Sequence, residues 1–177
     1  MTYLKKIFVS AALFFVFFNN SSYSEVINKV EVVGNERISV ETIVVFGDIA
    51  IGKNYETSDV NLLIKKLYET NFFSNISAEI KNNKLTIVVK ENPIVKSIVF
   101  NGVKADKYRE KIEELLQVRA QTSYVSNNIK QDINQIKNFY RALGYYFVKI
   151  EVEVEKLEKN NVNLIYTIDQ GEKAKIS

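Results

Sequence analysis

With no histidine and no cysteine among its 177 residues, any catalysis by this chain falls to a serine–lysine pair or to two carboxylates acting as acid and base. The carboxylates do not gather for that work. Glu110, Glu113 and Glu114 have the spacing of an exposed helix face. Gly47-Asp48-Ile49-Ala50-Ile51-Gly52 has the glycines of a phosphate loop, but no Lys-Ser or Lys-Thr follows and no buried strand precedes it. The missing imidazoles and thiolates also remove the commonest zinc ligands. The sequence therefore predicts no enzyme, no cofactor and no metal. With Lys5 and Lys6 set aside, 22 basic and 21 acidic groups remain. No basic patch with interleaved aromatics stands out, so nucleic acid is not an expected partner. The most ordered charge lies at Lys149, Glu151, Glu153 and Glu155, which alternate with Val148, Ile150, Val152 and Val154. Such alternation is that of a half-buried strand with a charged outer face.

The elements that would position these groups occur twice. Val30-Glu31-Val32-Val33-Gly34 reads as a short strand stopped by glycine, and Ile98-Val99-Phe100-Asn101-Gly102 repeats it. Ser39 is expected to cap a helix from Val40 to about Phe46, and Thr57 or Ser58 a second carrying Val60, Leu63, Ile64 and Leu67 at helical spacing. In the second copy Ser126 is the expected cap of a helix whose Ile129, Ile133, Ile136, Tyr140 and Leu143 form one core-facing stripe. Asn71 and Gly144 end the two long helices, as residues that tolerate the left-handed conformation. Alternating runs follow: Ile76, Ala78 and Ile80 return as Leu85, Ile87 and Val89 after a turn at Asn82-Asn83, and the run from Val148 returns as Val162, Leu164, Tyr166 and Ile168 after one around Lys159-Asn160-Asn161. The reading is an α+β chain of two tandem β-α-α-β-β modules, 25–92 and 93–172, joined stiffly at Pro93. One aromatic of each pair, Phe72-Phe73 and Tyr145-Tyr146, is expected to plug its module's core. Ahead of the modules, Lys5-Lys6, the apolar run Ile7 to Phe18, and small residues at Ser22 and Ser24 form a secretory leader over 1–24, with cleavage between Ser24 and Glu25. The apolar run is too short to cross a ~30 Å hydrocarbon core.

Three sets of residues carry a resemblance. They are the strand-terminal Gly34 and Gly102, the paired runs Leu67-Tyr-Glu-Thr-Asn-Phe-Phe73 and Phe139-Tyr-Arg-Ala-Leu-Gly-Tyr-Tyr146, and the closing Val88-Val89-Lys90-Glu91-Asn92-Pro93. Together they resemble the polypeptide-transport-associated (POTRA) domains of outer-membrane assembly factors, with Asn71 where that family usually has glycine. The resemblance implies a three-stranded sheet per module covered on one face by the helix pair, the last strand central and the second at an edge. It makes Ile76, Ser77, Ala78, Glu79 and Ile80, and Val148, Lys149, Ile150, Glu151, Val152, Glu153, Val154 and Glu155, the edge strands on which another chain could add by main-chain pairing. Implied partners are unfolded outer-membrane β-barrel proteins and the lipoproteins of an assembly complex, met at the periplasmic face of the outer membrane. The charges on the second edge also discourage aggregation between sheets. Other roles the resemblance allows are a two-partner secretion transporter and a membrane-tethered interaction protein of the envelope. Family members continue into further modules and a membrane β-barrel. The expected chain is thus the front of a longer protein or a truncated relative, with 173–177 the threshold of a third module.

Overall fold

The computed structural model describes residues 24–174; the expected leader up to Tyr23 and the last three residues of the expected third module lie outside them. The strands are β1 (Glu25–Val26), β2 (Lys29–Val33), β3 (Asn54–Tyr55), β4 (Phe73–Lys81), β5 (Lys84–Glu91), β6 (Ile94–Asn101), β7 (Lys149–Leu157) and β8 (Asn161–Asp169). The helices are α1 (Val40–Phe46), α2 (Thr57–Glu69), α3 (Asp106–Leu115) and α4 (Ser126–Ala142).

Two three-stranded sheets result, in the orders β2-β5-β4 and β6-β8-β7. In each, the last strand lies at the centre, parallel to the first and antiparallel to the second. The helix pair covers one face because alternate strand residues and one helix stripe are apolar. Ile43, Leu63, Leu67, Leu85 and Ile87 close the first core, while Ile112, Ile136, Tyr140, Leu164 and Tyr166 close the second. Of the α4 stripe, Ile129, Ile136 and Tyr140 are buried and Ile133 and Leu143 half-buried. Phe73 plugs the first core, with Phe72 half-buried and edge-on to Phe46 at 5.7 Å. Tyr145 does the same work against Tyr140 at 6.1 Å, while Tyr146 stays exposed.

Ser39 caps α1 as expected, its side chain accepting from the Thr42 N–H at 3.2 Å. Two other caps differ from expectation. Glu56 precedes α2, its N–H donating to Asp59 Oδ2 at 2.9 Å, so Thr57 and Ser58 are helical residues. Ser126 is the first residue of α4 and Val125 holds the cap position without a side-chain bond. The acceptor three residues into the helix decided the first case; packing of the apolar stripe fixes the second. A small antiparallel pair, β1 with β3, was not foreseen. Two-residue strands carry no period. They are held by buried Ile27, which exchanges main-chain bonds with Gly52 and Lys53.

The turns carry their expected chemistry: Asn71, Asn82, Asn83, Lys159, Asn160 and Gly144 all have positive φ. Gly34 and Gly102 are constrained twice over. Each has positive φ, and a Cβ there would overlap a carbonyl oxygen of the central strand, that of Val89 or of Ile168. Asp132, buried on α4, accepts from the N–H groups of Gln117 at 2.6 Å and Val118 at 3.2 Å, tying the end of α3 to α4. Burial pushes its carboxyl pKa up; the two N–H groups and Arg119 act against that without cancelling it.

Candidate strand-docking edges

The central strand of each sheet is paired on both sides, so unpaired main-chain groups are confined to the outer strands. In the second module the outer side of β6 is partly taken. Val95 N–H donates to Thr122 O at 2.9 Å, Gln121 N–H donates to Val95 O at 2.7 Å, and Ile94 bridges to Ser123. β7 pairs with β8 alone, so its far side is an edge over all nine residues.

The structure brings the expected edge residues onto these strands, with one exception. Lys149, Ile150, Glu151, Val152, Glu153, Val154 and Glu155 lie on β7, whereas Val148 stands one residue ahead of it with its side chain buried. Core packing claims Val148 before the ladder begins. Along β7, Ile150, Val152 and Val154 turn half-buried toward the helices, and Lys149, Glu151, Glu153 and Glu155 are exposed on the opposite face. Glu155 accepts from Asn163 Nδ2 at 2.8 Å.

In the first module Ile76, Ser77, Ala78, Glu79 and Ile80 occupy the middle of β4. The Ile76 N–H turns away from β5 and donates to the phenolic oxygen of Tyr68 on α2, 3.0 Å away. Because N–H and C=O alternate sides along an antiparallel strand, the main-chain groups of Ala78 and Ile80 face the same free side. A cavity of about 240 Å³ opens beside them, lined by Tyr55, Val60, Ala78 and Ile80 with Glu56 and Glu79 at its polar side. Little in the sequence points to Tyr68's part. The only signal is an aromatic standing off the apolar stripe of α2.

The joint between modules is also more built than expected. Asn92 N–H donates to Phe72 O at 2.7 Å and its side-chain amide to Asn71 O at 2.9 Å. From the second module, Asn160 Nδ2 donates to Glu91 O at 3.2 Å, Ile94 N–H to Asn160 O at 3.0 Å, and Tyr124 N–H to Pro93 O at 2.8 Å. Glu91 itself is buried. Its Oε1 accepts from the N–H groups of Glu36, Arg37 and Ile38 at 2.8–2.9 Å, and Oε2 lies 3.3 Å from the Arg37 guanidinium. At the other end Glu25, the residue after the expected cleavage point, is already part of the fold, its Oε2 accepting from Asn83 N–H at 3.1 Å. Ser24 precedes β1 as irregular backbone.

Among the described residues no group of His, Cys, Asp or Glu side chains could hold a metal ion, and no helix is long and apolar enough to cross a membrane. Residues 93–171 match the family model for POTRA, described as the surface antigen variable number repeat. That match takes in nearly the whole second module. Its β6-α3-α4-β7-β8 order repeats the β2-α1-α2-β4-β5 order of the first module, which adds the small β1–β3 pair, and solved POTRA structures superpose on both together. The N-terminal domain of Omp85 from Thermosynechococcus elongatus matches 84% of this chain and 64% of its own with a TM-score of 0.57 at 16% identity. POTRA1-2 of the periplasmic domain of Omp85 from Anabaena covers 87% of this chain and all of its own at 0.52 and 16%. These likenesses establish the fold. In sequence, the outer membrane protein assembly factor BamA of Neisseria meningitidis serogroup B is 28% identical over 155 residues, 85% of this chain and 19% of the relative. That of Neorickettsia risticii is 20% identical over 156 residues, 88% of this chain and 21% of the relative. The chain thus spans about a fifth of the length of these curated relatives.

Proposed function

We propose that the chain is the periplasmic receptor and scaffold part of an outer-membrane β-barrel assembly machine. In this reading the leader directs export and is removed after Ser24, and no step of catalysis is involved. Extended segments of unfolded outer-membrane proteins, and segments of accessory lipoproteins, add to the β4 and β7 edges by main-chain pairing. The observation that carries the reading is the pair of outer strands β4 and β7 on the tandem modules, each nine residues long and paired with another strand on one side only. Main-chain bonds are indifferent to side chains, which suits a receptor that meets many clients. The exposed Lys149, Glu151, Glu153 and Glu155 keep β7 from pairing with another β7 and leave client binding weak enough to reverse. The likeness to BamA in sequence supports the setting.

A photo-crosslinker placed in turn at positions 76–80 and 148–155, in cells making the protein, tests this. Labelled outer-membrane precursors are expected to crosslink along both strands. If none crosslinks at 148–155, β7 is not a receptor edge. N-terminal sequencing of the exported protein is expected to begin at Glu25.

A further inference from the structure

We infer that Tyr68 sets the register at which an extended polypeptide adds to the first module, by closing the β4 edge at Ile76. The inference rests on the edge-receptor reading and adds a stop to it. An incoming strand pairs with outward N–H and C=O groups in alternation. On β4 those belong to Ile76, Ala78 and Ile80, and one of the donors is already engaged: Ile76 N–H gives its hydrogen to Tyr68 Oη at 3.0 Å. A strand extending past Ala78 toward Phe73 must therefore displace the phenol. Tyr68 is 40% exposed, so it meets an arriving chain directly. The pairing window that remains is Ala78 to Ile80, alongside the cavity lined by Tyr55, Val60, Ala78 and Ile80. A bulge between Phe73 and Asn75 disrupts the ladder just beyond Ile76 and reinforces the same boundary.

The second module lacks the device. The helix ends Asn71 and Gly144 correspond, both with positive φ, which puts Arg141 in the place of Tyr68. A guanidinium has donors only and cannot accept from an N–H. The two edges consequently differ in kind: a short, stopped window on β4 and an unstopped strand on β7.

The test uses the full chain and a nine-residue peptide alternating valine with threonine or lysine, read by amide hydrogen exchange at each residue. With the native protein the peptide is expected to protect Ala78 and Ile80 and leave Ile76 unchanged. Tyr68→Phe keeps the ring and removes the acceptor; Tyr68→Arg copies the second module. In both, Ile76 is expected to exchange faster without peptide, to join the protected set with it, and to tighten peptide binding at β4 roughly fivefold, the worth of one added main-chain bond. Peptide protection of Ile76 in the native protein, or an unchanged footprint and affinity in both variants while Ala78 and Ile80 are protected, overturns the role of Tyr68 and leaves the receptor reading standing. No protection at Ala78, Ile80 or β7 in any of the three proteins removes the receptor reading, and this inference with it.

Discussion

Gly102→Ala is expected to destabilise the second module by about 3 kcal/mol or more, enough to unfold much of it. Two effects add. The backbone at Gly102 has φ +81°, where a Cβ costs roughly 1–2 kcal/mol. That Cβ would also overlap the Ile168 carbonyl oxygen of the central strand, and a central strand cannot retreat without breaking ladder bonds on both sides. Gly52 separates the two effects, since it has φ +85° but nothing within 4 Å of a built Cβ. Gly52→Ala should lose only that conformational part, roughly 1–2 kcal/mol. Urea unfolding followed by circular dichroism compares them, and equal losses would show that the close approach to β8 is immaterial. Gly34→Ala, against the Val89 carbonyl, is expected to match Gly102→Ala.

Glu91→Ala is the second large effect, with an expected loss of about 3 kcal/mol. It strands three N–H groups at 36–38 and leaves Arg37 without its carboxylate. Glu91→Gln keeps one oxygen acceptor and should lose less than half as much. Nature offers the comparison within the chain. Gly34 meets Val89 and Gly102 meets Ile168, so Gln170 occupies the position of Glu91, buried and with Oε1 lacking a hydrogen-bond partner among the described residues. The carboxylate also makes a pH signature. Burial pushes the Glu91 pKa up, but the N–H groups of Ile38, Glu36 and Arg37 and the Arg37 charge outweigh it and hold the group below the usual range. A lowered folded pKa gives stability that is complete above the unfolded glutamate value and lost as pH falls through the folded one. Asp132, with its pKa raised, runs the opposite way: it is relieved as pH falls. Urea midpoints from pH 7 downward should therefore drop more steeply in the native protein than in Glu91→Gln. Parallel curves would show that Glu91 does not carry the acid sensitivity.

Strands and helices were legible where apolar residues keep a period for several turns, as along 129–143 and 150–154, and where Asn82-Asn83 or Gly144 punctuates them. Sheet order was not legible from period at all. Alternation says which face a residue takes, never which strand is its neighbour, and the central place of β5 and β8 came through resemblance. The cap of α2 lies one residue ahead of Thr57 because Asp59, not a hydroxyl, supplies the acceptor. The work of Tyr68 and Glu91 is hard to read from sequence because their partners are main-chain N–H groups, 8 residues away for Tyr68 and 53–55 for Glu91, and a main-chain partner has no residue type to recognise. Val148 shares the alternation of β7 but not its ladder, since burial and pairing need not begin at the same residue.

The segment from Glu91 to Pro93 has a mechanical consequence. Its main chain is bonded by Phe72 on one side and by Asn160 and Tyr124 on the other. A tether would let load applied at one end go slack at the joint. This segment behaves as a splice: bending it means shearing hydrogen bonds that belong to one module or the other, so the chain stays stiff under small loads and yields in a step when a bond breaks.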